Sequence, residues 1–132
     1  MQVSFSGIIK AKSDLIVSAA QTARADLPAE AVPLHDDRLH VTLVHQSIAK
    51  PWKKEFRDAV LPDCPDFNLL PDVQMREDGD RRSWVLWVDD EGQYALKAYV
   101  LELLGVDEDP EPQRRFHISL ANLTGEPGDS VR

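Results

Sequence analysis

Two short segments of the chain share one alternating pattern of apolar and polar residues. Residues 39–43 (LHVTL) and 116–120 (FHISL) each carry a histidine and a hydroxyl residue two positions apart, between large apolar residues. Successive side chains of a β-strand point to opposite faces, so positions i and i+2 lie on one side, about 7 Å apart. The pattern predicts two strands that each present a histidine with a Ser or Thr on one face and apolar residues on the other.

The remaining pattern predicts strands alternating with helices. Apolar residues recur at helical spacing after Ser13, a predicted N-cap, and again up to Gly105, which is expected to end a helix. A short helix is expected to open at Pro51, with Trp52, Phe56 and Val60 on one stripe. Alternation and turn residues bound the strands. The predicted strands are 3–10, 38–45, 67–75, 83–89 and 114–122, and the two longer helices are 13–25 and 92–104.

The order of these elements indicates an internal duplication. A strand, a helix and a histidine-bearing strand occur twice, with 37 residues from Val3 to His40 (40 minus 3) and 33 from Trp84 to His117 (117 minus 84). Equivalent positions in two similar halves would face each other across a pseudo-twofold axis and line one cleft. We expect a single α+β domain over 1–132, with one lobe over about 1–60 and a second over about 67–132.

The repetition of the motif changes how its histidines are interpreted. One histidine beside a strand threonine is usually a half-buried structural residue. The chain has four histidines, and two of them carry this context, which chance would produce on the order of once in a thousand cases. An acid and a base, each with a neighbouring hydroxyl, are the groups needed to cleave a phosphodiester without a metal.

Composition narrows the class of partner. The 132 residues carry a formal net charge of −8, which opposes binding of a long nucleic acid through its phosphates. A small nucleotide needs only a local cluster of donors. There is one cysteine, hence no internal disulfide or thiolate zinc site, and no apolar stretch long enough to span a membrane. The first ten residues do not resemble a secretion signal, so we expect a cytoplasmic protein that does not bind membranes.

The two motifs resemble those of the 2H phosphoesterase superfamily, which is defined by two His-x-Ser/Thr motifs flanked by apolar residues. Its members include 2′-5′ RNA ligase-like proteins, cyclic phosphodiesterases, and phage enzymes that degrade the cyclic oligonucleotide signals of CBASS immunity. The resemblance covers nearly the whole chain, including the first strand around Phe5-Ser6-Gly7-Ile8. It implies a bilobal pseudo-twofold fold, with antiparallel sheets and flanking helices around a central cleft. If the chain is phage-encoded, the resemblance also implies that the protein acts in the cytoplasm of the host.

The chemistry expected at this cleft uses His40 and His117 as the general acid and base, in an order that the sequence leaves open. Thr42 and Ser119 are expected to donate hydrogen bonds to the non-bridging phosphate oxygens. No metal or cofactor is expected.

Three further residues are weaker candidates for substrate contacts. Strand alternation sets Arg115 on the face of His117, where it would either clamp a phosphate or be a solvated arginine at the strand end. Arg38 shares the face of His40, although a solvated role is favoured for it. Trp84 and Trp87 lie on opposite faces of one strand, so one belongs to the core and the other, taken as Trp87, is available to stack on a base.

The substrate is expected to be a small nucleotide phosphodiester, most of all a cyclic oligonucleotide. A 2′,3′-cyclic phosphate at an RNA end is the alternative, and the protein is expected to be a monomer or a weak oligomer. A non-catalytic nucleotide-binding module remains a competing class. A third class is a metal-binding protein whose site is built from His35, His40 and His45, although a strand would direct His40 and His45 to opposite faces.

Overall fold

The computed structural model describes residues 1–131, which form an α+β domain with an antiparallel sheet. Strands and helices begin and end at positions set largely by turn and capping residues. The strands are β1 Gln2–Phe5, β2 Ile9–Lys12, β3 Val32–Pro33, β4 Val41–Val44, β5 Gln74–Asp78, β6 Arg81–Trp87 and β7 His117–Asn122. The helices are α1 Asp14–Ala23, α2 Gln46–Ala49, α3 Lys53–Phe56 and α4 Asp90–Leu104, with single 3₁₀ turns between several of them.

The order of strands in the sheet is symmetric about its centre. It reads β1-β2-β4-β7-β6-β5, and the short β3 pairs with the far end of β7. Each half consists of a hairpin, a helix and a motif strand: β1–β2, α1 and β4 in the first, and β5–β6, α4 and β7 in the second. The two motif strands therefore lie side by side in the middle of one continuous sheet.

The core lies on the face of the motif strands opposite their histidines. Val41 and Ile118, each following a motif histidine, are fully buried. The two long helices cover them with apolar stripes at a spacing of three to four residues. These stripes are Ile16, Ala20 and Ala23 of α1, and Leu96, Val100 and Leu104 of α4.

Capping residues explain where the long helices begin and end. The Ser13 side chain accepts a hydrogen bond from the backbone N–H of Ile16, as predicted. Asp89 caps α4 in the same way through Gly92, and Gly105 ends this helix with a φ of 66°. The long helices of the two halves thus begin with the same kind of polar cap.

The prediction of one strand over 3–10 is wrong. The chain forms the β1–β2 hairpin there, with Phe5 opposite Ile9. Gly7 has a φ of 87°, a left-handed conformation that residues with a side chain rarely adopt, and the chain reverses at this point. The repeated unit is therefore a hairpin, helix and strand instead of a single strand, helix and strand.

Two other local predictions are also wrong. Residues 67–73 form no regular strand, only an isolated bridge from Leu69 to Val88, because Pro71 has no N–H to give to a ladder. The predicted apolar stripe of Trp52, Phe56 and Val60 does not reach its last member, because Phe56 is buried but Val60 is fully exposed.

No helix of residues 1–131 combines the length and the apolar character that crossing a bilayer would require.

Tight packing at the start of α4 predicts that Gly92→Ala destabilises the fold. An added Cβ would lie 2.6 Å from Cβ of Phe67 and 2.7 Å from Cγ1 of Val88, closer than real carbon contacts allow. We expect a loss of about 1–3 kcal/mol in the free energy of unfolding, measured by urea denaturation. Gly128→Ala is the matched control, because nothing lies within 4 Å of its added Cβ. Equal stability of the two variants would contradict the packing described here.

Candidate active site

Pairing of the two motif strands brings their polar residues together. Val41 is opposite Ile118 in the antiparallel β4–β7 pair. This register sets Thr42 beside His117, and His40, which immediately precedes β4, beside Ser119. Because neighbours across a ladder share a face, all four polar side chains lie on the side away from the core.

These four residues line a single cavity of about 340 Å³, here called the histidine cleft. His40 and Thr42 come from the segment at β4 and His117 and Ser119 from β7, and all four are half-buried. The remaining wall comes from both halves of the chain and from its end. It comprises Ile8, Leu34, Arg38, His45, Arg81, Arg114, Pro127, Gly128, Ser130 and Val131.

Both motif histidines are oriented by the same backbone contact. Nδ1 of His40 lies 2.7 Å from the carbonyl of Arg38, and Nδ1 of His117 lies 3.1 Å from the carbonyl of Arg115. A carbonyl oxygen can only accept, so Nδ1 carries the hydrogen in each ring. Nε2 is thereby the unprotonated, basic nitrogen of each neutral ring.

Burial keeps His117 neutral. Loss of solvent is the largest effect and lowers the pKa of His117 to about 4, although the Arg115 carbonyl opposes this by favouring the protonated ring. Nearby positive charge on Arg76 and Arg114 lowers the pKa further. The Arg76 guanidinium also lies 3.4 Å from Nε2 of His117 and donates to it. His117 is therefore a free base at neutral pH.

His40 is shifted in the same direction. Burial is again the main cause of its lowered pKa, the Arg38 carbonyl opposes it, and the charges of Lys10 and Lys12 add to it. Lys10 lies opposite Thr42 in the β2–β4 pair. Arg114 lowers the pKa of both rings, so the two imidazoles of the cleft share one basic neighbour.

The two hydroxyl groups have different surroundings. Oγ1 of Thr42 lies 3.1 Å from Nε2 of His40 and donates to it when the ring is neutral. The Ser119 hydroxyl has no hydrogen-bond partner among residues 1–131. Ser119 therefore has a free donor that faces the cleft.

Two arginines at this site were not predicted from the sequence. Arg114 lines the histidine cleft, its buried Nε has no partner within residues 1–131, and its Nη1 lies 3.7 Å from Glu111. Arg76 reaches His117 from β5 at the far edge of the sheet. Arg114 lies before the start of β7, so strand alternation does not predict its direction. Arg76 belongs to no local motif in the sequence.

Trp87 and Arg115 lie in a second cavity beside His117. Trp84 is core, 4% exposed, whereas Trp87 pairs with His117 across β6 and β7 and its ring meets the imidazole edge-on at 5.4 Å. Cζ of Arg115 lies 4.4 Å from the centre of the Trp87 ring. Arg115 is exposed and does not line the histidine cleft, whereas Arg38 does.

The expectation that His45 faces away from His40 is wrong. β4 ends at Val44, and His45 instead caps α2 through the backbone N–H of Ser47, so its ring lines the histidine cleft. His35 is exposed in a loop and caps a 3₁₀ turn. Within residues 1–131, no three His, Cys, Asp or Glu side chains come together as a metal-binding group, and this includes His35, His40 and His45.

The segment 127–131 contributes one wall of the histidine cleft, a feature that the sequence pattern does not predict. Fully buried Asn122 holds this segment: its side chain donates to the carbonyl of Glu126 at 2.6 Å and to Ser130 at 3.1 Å. Its carbonyl oxygen accepts from the backbone N–H of Thr124 at 3.0 Å. The backbone N–H of Val131 donates to Ser83. These bonds tie residues 123–131 back onto the sheet.

Comparison with known proteins gives no match. No family model matches the chain, and neither the curated proteins nor the solved structures include one with significant similarity.

The burial and the basic neighbours of His117 predict the pKa at which this histidine titrates. Nitrogen-detected NMR of the free protein should give a pKa of about 4 for His117, with His40 also below the ordinary value of about 6.5. Arg76→Gln should raise the pKa of His117, because it removes a positive charge and a donor to Nε2. Arg57→Gln, an exposed arginine outside the site, is the control. An unchanged His117 in Arg76→Gln would contradict the assigned contact.

Proposed function

We propose that the protein is a phosphodiesterase of the 2H type, in which the two motif histidines act on one phosphorus atom. The observation that carries this proposal is that His40 and His117 line one cleft, each ring held through Nδ1 by the carbonyl two residues before it. The two hairpin, helix and strand halves would correspond to the two lobes of that fold. Because acid and base both come from imidazoles, the reaction needs no metal.

Within this proposal, we assign the two roles from the larger lowering of the pKa at His117. His117, with the pKa of about 4, is the base: Nε2 takes the proton from a water or from a ribose 2′-hydroxyl as that oxygen attacks phosphorus. His40 is the acid: its protonated Nε2 gives a proton to the departing oxygen as the phosphorus–oxygen bond breaks. Opposite positions in the cleft suit an in-line displacement.

Charge that develops on the phosphate needs donors in place before the reaction. The Ser119 hydroxyl is free to donate to a non-bridging oxygen, and Thr42 can do so once His40 is protonated and no longer accepts its hydrogen. Arg114 lines the cleft with a buried guanidinium. Its fixed fork of N–H groups matches phosphate oxygens.

The substrate that fits best is a small nucleotide phosphodiester, most of all a cyclic oligonucleotide, in a cytoplasmic setting. A chain with net charge −8 repels long nucleic acids, whereas the cleft provides local positive charge through Arg38, Arg81 and Arg114. A 2′,3′-cyclic phosphate is the alternative substrate, since one such phosphate also fits a cavity of about 340 Å³.

Removal of either imidazole should nearly abolish turnover. His40→Ala and His117→Ala should each lose at least about 100-fold in kcat, because each removes one proton-transfer group. The assay uses cyclic dinucleotides, cyclic trinucleotides and 2′,3′-cyclic mononucleotides, each with and without EDTA. His35→Ala, at an exposed loop histidine, is the control.

Circular dichroism should show both active-site variants folded. More than about a tenth of the wild-type rate in either variant would exclude the assigned role. Binding without turnover by the wild-type protein would favour a non-catalytic nucleotide-binding module, and loss of activity in EDTA would favour a metal enzyme.

The lowered pKa values predict an acidic optimum. The rate must rise with pH as His117 loses its proton near pH 4, and fall as His40 loses its proton at a pKa below 6.5. The profile of kcat/KM, which reports the free enzyme, should therefore be a bell with its maximum between about pH 4 and 6.5. A maximum above pH 7 would contradict the assignment of base and acid.

A further inference from the structure

A second cavity of about 550 Å³ adjoins the histidine cleft. It is called the Trp87 cavity here, and it shares His45, Arg114 and His117 with the cleft. The rest of its lining is Ser47, Arg76, Trp87, Glu111, Pro112, Gln113 and Arg115. Its volume is in the range of small-ligand sites, so a molecule bound at the two histidines has room to extend past His117.

The Trp87 cavity is rich in arginine. Arg76, Arg114 and Arg115 line it, and Glu111 is its only acidic residue within the described chain. Arg114 reaches Glu111 at 3.7 Å, whereas neither Arg76 nor Arg115 forms an ion pair with any carboxylate of residues 1–131. This is unusual for a chain with 23 acidic and 15 basic residues, in which carboxylates are abundant.

Trp87 explains how these guanidinium groups are held without acidic partners. Cζ of Arg115 lies 4.4 Å and Cζ of Arg76 lies 5.3 Å from the centre of its ring. A cation–π contact orients a guanidinium through its flat face and leaves its N–H groups free to donate. Arg76 and Arg115 therefore present positive charge to the cavity with no carboxylate of residues 1–131 bound to them, and Arg76 also donates to Nε2 of His117.

We propose that the Trp87 cavity is a second anion subsite, which binds a phosphate group next to the scissile one. Arginine forks match phosphate oxygens in geometry and charge. The inference rests on the proposed function for the position of the scissile phosphate, and it narrows the substrate to nucleotides with two phosphates. The second group is either another phosphodiester or a terminal monophosphate.

Binding of matched ligands tests this subsite. The full chain carrying His40→Ala, a position outside the Trp87 cavity, is titrated calorimetrically so that turnover does not interfere. The ligands are a nucleoside 2′,3′-cyclic phosphate, the same nucleotide with a 5′-phosphate, and the cyclic dinucleotide, in adenosine and guanosine series. Base preference cancels within each series.

At least one ligand with two phosphates should bind about tenfold tighter than the ligand with one, the effect of roughly one charge-assisted hydrogen bond. Arg115→Gln and Arg76→Gln, each added to His40→Ala, should bring this ratio towards one. Arg57→Gln removes the same charge outside the site and should leave the ratio unchanged. The ligand that shows the gain identifies the source of the second phosphate.

Equal affinity for ligands with one and two phosphates would overturn the subsite. A preference that survives both arginine substitutions, or no binding of either two-phosphate ligand at millimolar concentration, would also overturn it. Turnover by the wild-type protein is measured separately. Turnover without the preference for two phosphates would support the phosphodiesterase and contradict the subsite. The preference without turnover would support the subsite and contradict the phosphodiesterase.

Discussion

The pairing of Val41 with Ile118 holds the two halves of the molecule together and positions the site. Both side chains are fully buried, and each follows a motif histidine. A slip of one residue in this register would turn the apolar residues to solvent and the histidines into the core. The hydrophobic core therefore enforces the arrangement in which His40 and His117 share a face, and the polar chemistry depends on an apolar contact behind it.

Burial then sets the electrostatics of that face. Because both rings lose solvent, the pKa of each histidine falls, and nearby basic side chains lower it further. A phosphate anion would reverse part of this effect by stabilising the protonated ring. The free site is thus cationic through its arginines rather than its histidines, in a chain whose net charge is −8.

The sequence predicted those features that depend on local alternation. The shared face of His40 and Thr42, and of His117 and Ser119, follows from strand periodicity, as does the separation of core Trp84 from Trp87. The helix starting at the Ser13 cap and the helix ending at Gly105 follow from known side-chain and backbone preferences. The predicted lobes and the predicted activity stay predictions.

Features that depend on distant contacts could not be predicted in this way. Arg76 reaches His117 across 41 positions, and a motif search has no access to such a contact. Arg114 and Arg115 precede β7, so counting alternate residues along a strand did not find Arg114, which lines the histidine cleft. The wall formed by residues 127–131 depends on how buried Asn122 folds the chain back, which composition does not reveal.

The most direct test follows both imidazoles while one phosphate binds. Nitrogen-detected NMR of the wild-type protein is recorded during titration with a non-hydrolysable phosphorothioate analogue of a cyclic dinucleotide. If the two rings contact the same phosphate group, the Nε2 signals of His40 and His117 shift together along one saturation curve. A shift of only one ring, or two curves with different midpoints, would contradict the account.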